Sequence, residues 1–230
     1  MIYKKLKLEG KQKVWFTSDT HAYHKNICRG TTTWDLRGSD IHSSTRDFDN
    51  EAQMTNHLAS QINSYVDEND YLVHLGDFSF GGIDKIWKFR KQINCKNIIL
   101  VLGNHDDYIA NNRELENWTK ESDRRQYAQQ CFESVHSYLE LTVSSSQYGK
   151  TTYNLFHFPI LQWNKAHHDR VHLFGHVHGS NPGVGRSLDV GIDSAFKLFG
   201  EYRPFSQQDI IDYMENKEFV QQSHHNRNTN

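Results

Sequence analysis

Five clusters of carboxylate, imidazole and amide side chains punctuate this sequence, and each follows a short apolar run. Asp19-Thr20-His21 follows Val14-Trp15-Phe16, Gly76-Asp77 follows Tyr71 to Leu75, and Gly103-Asn104-His105-Asp106 follows Ile98 to Leu102. Downstream, His157 follows Tyr153 to Phe156, and Gly175-His176-Val177-His178 follows Val171 to Phe174. Oxygen and imidazole donors without thiolate suit divalent metals such as Mn, Fe, Zn, Ni or Co. Asp19 and His21 flank one residue, so both side chains can project to the same side of an extended segment, and His176 and His178 repeat that spacing. Gly175 and Gly179 permit a tight turn close to an ion. Asp77 places a carboxylate directly after a buried run, where an unpaired charge is expensive; it calls for cations, and a carboxylate can bridge two. Asn104 offers a neutral oxygen. Each cluster alone is a weak signal, but five in series, each after a strand, point to a metal site.

The elements that must position these residues are legible in outline. Short runs rich in β-branched and aromatic residues read as buried strands. In open α/β sheets, ligands bind beyond the carboxyl ends of the strands. The connection after the first cluster, His24 to Asp47, reads as an irregular loop. Met54, Leu58, Ile62 and Tyr65 then recur at helical spacing and predict a helix with one face on a sheet. Asp84 is expected to cap a second helix with Ile86, Phe89 and Ile93 inward. Residues 113–130 are polar and expected to be helical and largely exposed. Leu139 to Val143 alternates as a strand, with a turn expected at Tyr148-Gly149-Lys150 before a strand over Thr151 to His157; Ser187 to Gly191 reads as another. Ser206 to Asp209 has the pattern of a capping box, opening a last helix with Ile210 and Met214. Strands alternate with helices early and dominate later, so a mixed sheet or two stacked sheets with helices outside fits best.

The bulk numbers set limits. A chain of 230 residues suffices for one two-layer core, and residues 1–220 read as one domain with a polar tail over 221–230. The net charge of −2 gives no polyelectrolyte signature, so long nucleic acid is not favoured as a partner. Three widely spaced cysteines without a C-x-x-C pair fit a reducing, cytoplasmic compartment. Nothing resembles a secretory leader or a membrane span. Of the 15 histidines, His167-His168 and His224-His225 read as solvated, and His74 and His172, inside apolar runs, as hydrogen-bonded core residues. Oligomeric state is not readable.

In order and spacing the five clusters resemble the calcineurin-like metallophosphoesterases: D-x-H, G-D, G-N-H-[DE], a lone His, then G-H-x-H. The resemblance covers Asp19 to His178 and is similar in style to the small bacterial and phage members. It implies an α/β fold of two stacked mixed β-sheets flanked by helices, and a centre of two divalent metal ions, with Mn expected first. By this resemblance Asp19, His21 and His178 hold one ion, Asn104, His157 and His176 hold the other, and Asp77 bridges. His105 stands free as the catalytic general acid, a role typically worth about 10²–10⁴-fold. Paired metals about 3.5–4 Å apart can hold a bridging hydroxide as nucleophile and clamp both oxygens of an in-line displacement. Two divalent ions outweigh the two carboxylates, and that positive excess suits an anionic ester.

The sequence also departs from part of the family. Phosphoprotein phosphatases extend the second motif as G-D-x-V-D-R-G, whereas here it is Gly76-Asp77-Phe78-Ser79-Phe80-Gly81-Gly82. Phosphoprotein substrates are therefore disfavoured, and the group that orients His105 is left open. The expected substrate is a small, nucleotide-like phosphodiester or phosphomonoester, with His24, Asn26, Arg29, Arg37 and Arg46 as candidate substrate-binding residues. One alternative is a nuclease acting on a single-stranded end, with Trp34 stacking on a base. Another is a non-catalytic metal-binding scaffold, which the presence of His105 and every metal position opposes.

Overall fold

Apart from the half-buried Tyr71 and Leu102, the residues of the central apolar runs are buried, because alternate residues serve two different cores. In the computed structural model, which describes residues 3–35, 44–112, 127–168 and 170–218, β2 (Val14–Thr17), β3 (Tyr71–His74) and β4 (Asn97–Val101) are parallel neighbours. On their inner face Phe16, Val73, Ile99 and Val101 join Leu141, Tyr153, Leu155 and Leu173 of a second sheet in one cluster. On their outer face Trp15, Leu72, Ile98 and Leu100 pack against helices. Burial on both faces is why these strands are continuously apolar rather than alternating.

The first sheet has the order β10-β2-β3-β4-β5, with β5 (Ser134–His136) parallel to β4 and β10 (Phe205–Ser206) antiparallel to β2. The second has the order β1-β6-β7-β8-β9, formed by β1 (Tyr3–Lys7), β6 (Leu139–Ser145), β7 (Gly149–Leu155), β8 (Val171–Phe174) and β9 (Ser187–Asp189). Both sheets are mixed, five-stranded and stacked, and helices flank them, as expected for the metallophosphoesterase fold. The outer face of the second sheet buries Glu140, Asn154 and His172 under Trp163, Asn164 and Arg170 of the β7–β8 connection.

Helix α1 (Glu51–Tyr65) begins at Asn50, whose side chain accepts from Ala52 N and Gln53 N, and it buries Met54, Leu58 and Ile62 as the spacing predicts. Helix α2 (Ile83–Gln92) buries Ile86 and Phe89, but its N-cap is Gly82 rather than Asp84. Gly81 and Gly82 both take positive φ, and this turn starts the helix two residues early; Asp84 sits in its first turn, where its charge favours the dipole. The β6–β7 hairpin pairs Ser145 with Gly149, so the turn is residues 146–148 and Gly149 and Lys150 belong to β7. A three-residue loop followed by a left-handed glycine (φ 67°) is a common hairpin closure. Helix α3 (Asp107–Ala110) is a single turn after β4. Helix α4 (Ile192–Phe199) follows β9, and α5 (Gln207–Met214) opens on the expected capping box, Ser206 Oγ accepting from Asp209 N and Asp209 Oδ2 from Ser206 N.

Of the segment 113–130, residues 113–126 lie outside the described residues, as do 221–230; Ala128–Cys131 is a 3-10 turn. The cysteines Cys28, Cys95 and Cys131 are free and buried. Among the described residues, no helix is long and apolar enough to cross a membrane. His172 is buried as expected: Nδ1–H donates to Asn154 O (3.0 Å) and Nε2 accepts from Ile160 N (3.3 Å). His74 likewise contacts Thr20 Oγ1 (2.9 Å) and accepts from Gly76 N (3.3 Å).

Candidate metal centre

Three parallel strands of one sheet and two of the other end at a common rim. β2, β3 and β4 deliver Asp19 and His21, Asp77, and Asn104 and His105; β7 and β8 deliver His157, and His176 and His178. The chain leaves these strands in abrupt turns. Asp19, His21, Asp77, His176 and His178 have φ between 47° and 70°, a region that non-glycine residues occupy at a cost of about 1–3 kcal/mol each. Eight described non-glycine residues have positive φ, and these are five of them; backbone strain is concentrated on the predicted ligands.

Two triads form. Asp19, His21 and His178 offer ligand atoms within 4.8 Å of one another, and so do Asp19, Asp77 and His157. Asp77 Oδ2 lies 3.5 Å from both His21 Nε2 and His157 Nε2, midway between the two predicted ligand sets. Asn104 Oδ1 lies 3.0 Å from His157 Nε2 and 3.0 Å from His176 Nδ1. Asp19, His21, Asp77 and His157 are buried, while Asn104, His105 and His176 face the opening. All seven predicted ligands are thus brought together. The sharing of Asp19 by both triads makes it a second carboxylate adjacent to both sets, alongside Asp77.

The donor atoms fit divalent cations. Asp19 Oδ1 and both ring nitrogens of His21 are buried without a hydrogen-bond partner, an arrangement costly unless something else satisfies them. His157 Nδ1 lies 2.7 Å from Leu75 O and must donate its proton there, so in the neutral ring Nε2 turns a lone pair toward Asn104 Oδ1. That lone pair and Asn104 Oδ1, 3.0 Å apart, can both ligate one cation. His178 Nδ1 lies 2.6 Å from Asp193 Oδ2. Burial opposes the charged imidazole, but the hydrogen bond and charge of Asp193 more than offset it and raise the His178 pKa. A carboxylate behind a ligating histidine fixes its orientation and raises its basicity.

Around this set, backbone amides are tied down by carboxylates. Asp106 accepts from Asp77 N (2.8 Å), Phe78 N (3.0 Å) and Gly103 N (2.8 Å), so it clamps two ligand loops together and is not the partner that orients His105. Asp189 accepts from Gly179 N (2.6 Å) and Gly191 N (2.7 Å), and burial pushes its carboxyl up to about 7. Gly175 is required because a Cβ there would collide with Ser18 Oγ and the Asp19 carboxylate; at Gly103 it would collide with Asp77. His105 donates its backbone N–H to Asp77 Oδ1 (2.9 Å), and its exposed ring stands 5.7 Å from the His21 ring and 4.8 Å from that of Phe80.

The candidate substrate-binding residues fare differently. His24 lines the cleft, stacked on Phe80. Asn26 turns inward on its own loop, accepting from Thr33 N (3.1 Å) and Thr33 Oγ1 (3.0 Å), and Arg29 pairs with Asp47 at 2.8 Å. Arg37 lies outside the described residues. Arg46 requires correction: it is buried, with Nε and Nη2 on Asp193 (2.8 Å each), Nη1 on Thr20 O (2.8 Å) and Nη2 also on Asp19 O (2.6 Å). Its guanidinium is spent inside the protein and braces the centre from behind. Asp193, the other half of that brace, was not legible beforehand; 147 positions separate it from Arg46, and no motif marks it.

The calcineurin-like phosphoesterase family model matches residues 12–180, more than half of the chain, and the protein belongs to that family. Its fold is similar to the crystal structure of a protein of unknown function from Aquifex aeolicus, at 19% identity and a TM-score of 0.52, covering 88% of this chain and 99% of that one. Among curated proteins none matches.

Proposed function

We propose that this protein is a dinuclear metal-dependent phosphoesterase acting on a small, nucleotide-like phosphodiester or phosphomonoester. Family membership and the candidate ligand groups support metal-dependent phosphoester hydrolysis in general. The observation that carries the finer reading is Asp77 Oδ2, equidistant at 3.5 Å from a histidine of each ligand set. Asp19, His21 and His178 would hold one ion and Asn104, His157 and His176 the other, with Asp77 between them. When bound, such ions supply Lewis acidity toward the phosphoryl oxygens and activate water as the nucleophile; Mn is the first candidate. The chain's own residues do the rest. His105, exposed at the rim and tethered through its backbone to Asp77, delivers a proton to the departing oxygen. The Arg46–Asp193 pair and the Asp106 clamp hold the ligands at fixed separation, so little reorganisation accompanies reaction.

The test is hydrolysis of bis-p-nitrophenyl phosphate beside p-nitrophenyl phosphate, using chelator-stripped protein before and after adding Mn²⁺. Turnover restored by metal is expected, and the ratio of the two rates separates diesterase from monoesterase. Stoichiometric metal binding with no turnover under any divalent ion would overturn the reading in favour of a binding scaffold.

A further inference from the structure

We infer that the cleft beside the metal centre is a leaving-group pocket for a planar ring, so that the ester cleaved here carries a base or similar aromatic on its departing oxygen. This rests on the phosphoesterase reading and adds which side of the phosphorus is recognised, and by what. The cleft has a volume of about 660 Å³ and is bounded on the metal side by His21, His178 and His105. That volume is within the range of small-molecule sites.

Its walls are flat. The His24 and Phe80 rings stack with centroids 3.9 Å apart and planes only 5° from parallel. Phe80 also borders the His105 ring at 4.8 Å and the His21 ring at 5.2 Å, tilted from its plane by 43° and 34°. Trp34 stands at 76° to His24, centroids 6.0 Å apart, and forms a second flat wall at the mouth. Trp34 is 41% exposed, which leaves part of its ring open to a ligand at the mouth. At the polar edge, Lys197 Nζ donates to Gly179 O (3.0 Å) and His178 O (3.4 Å). An ammonium has three donors, so one remains for a hydroxyl or anionic oxygen of the ligand.

The position of His105 assigns the pocket to the departing group. In the hydrolysis, a water oxygen bonds phosphorus and the ester P–O bond breaks, leaving its electron pair on the departing oxygen. That oxygen takes the His105 proton, and the proton released by water restores the histidine through solvent. Whatever is attached to the departing oxygen must lie beside His105, and His105 lines this ring-walled cleft. Stacking of a base on aromatic side chains tolerates any base and strengthens binding by roughly five- to a hundred-fold.

The experiment compares AMP with ribose 5-phosphate, which differ only in the base. On chelator-treated protein, ligand-observed saturation-transfer NMR is expected to show contact to the adenine protons of AMP and loss of that contact in Trp34→Ala. On the Mn²⁺-restored protein, AMP is expected to compete with bis-p-nitrophenyl phosphate at least about fivefold more tightly than ribose 5-phosphate. Trp34→Ala and Phe80→Leu should each bring that ratio toward one, with far-ultraviolet circular dichroism confirming the fold. Equal inhibition by the two compounds, with turnover intact, overturns the ring pocket and leaves the phosphoesterase standing. Adenine contact in NMR without turnover under any divalent metal overturns the phosphoesterase reading, and the leaving-group assignment with it.

Discussion

Behind the ligand His178 stand Asp193 and Arg46, a bidentate ion pair with Arg46 buried and Asp193 largely covered. A buried pair of this kind contributes little net stability when intact, but breaking it strands an uncompensated charge at about 3–5 kcal/mol. Asp193→Asn keeps an acceptor for His178 and removes the charge facing Arg46. It should lower metal affinity by about 10–100-fold and reduce stability by about 3–5 kcal/mol, read by Mn²⁺ titration and urea unfolding. Unchanged metal affinity would reduce Asp193 to a purely structural partner of Arg46. His105 belongs to the opposite case, an exposed ring that borders His21 and Phe80 rather than bracing a ligand from behind. His105→Ala should retain full metal content and lose about 10²–10⁴-fold in turnover, most for esters with poor leaving groups; equal activity would remove it from the mechanism. The difference between these residues explains what could be read in advance. His105 and the seven ligand positions sit in motifs whose members are neighbours in sequence. Arg46 and Asp193 meet only through the fold, so Arg46 looked like a loop arginine available to substrate.

At the scale of elements, strand ends place the ligands and the turns after them aim the side chains. Strands β2, β3, β4 and β8 were legible because they are buried on both faces and therefore mostly apolar, His74 and His172 being the buried histidines among them. Helices α1 and α5 were legible from one apolar face and from a capping box. The Gly82 cap of α2 and the three-residue β6–β7 loop were not, because both depend on left-handed glycine geometry that several nearby positions could have supplied. Nor did the sequence reveal that the ligands themselves carry the positive φ. Such conformations persist only where surrounding structure enforces them, and here Gly175 does so by letting Ser18 and Asp19 of one sheet pack against the turn of the other. Gly175→Ala should therefore separate the two ligand halves. The expected result is near-native circular dichroism with loss of stoichiometric metal binding. Full metal occupancy in this variant would show that the turn has room to adapt.

For the molecule as a whole, metal and protons act on the same equilibrium from different places. An ion that binds only the folded state adds about 2.7 kcal/mol at a hundred times its Kd, so the proton contribution of the core is best measured in chelator. His172 supplies it. It is buried, both ring nitrogens are engaged in the neutral form, and burial pushes its pKa from 6.5 down to about 4. Above pH 6.5 the ring is neutral in folded and unfolded chains alike, and its contribution does not vary with pH. Between pH 6.5 and about 4 the unfolded chain binds a proton that the folded chain refuses, so stability falls as the pH falls, by about 1.4 kcal/mol per pH unit and on the order of 3 kcal/mol across the window. His172→Gln retains an acceptor for Ile160 N and cannot titrate. In urea unfolding with chelator at pH 7, 6, 5 and 4.5, its stability should decline with pH less steeply than wild type by about one proton. Parallel pH dependences would mean that protonated His172 is accommodated in the fold, against the hydrogen-bond pattern that fixes it as neutral.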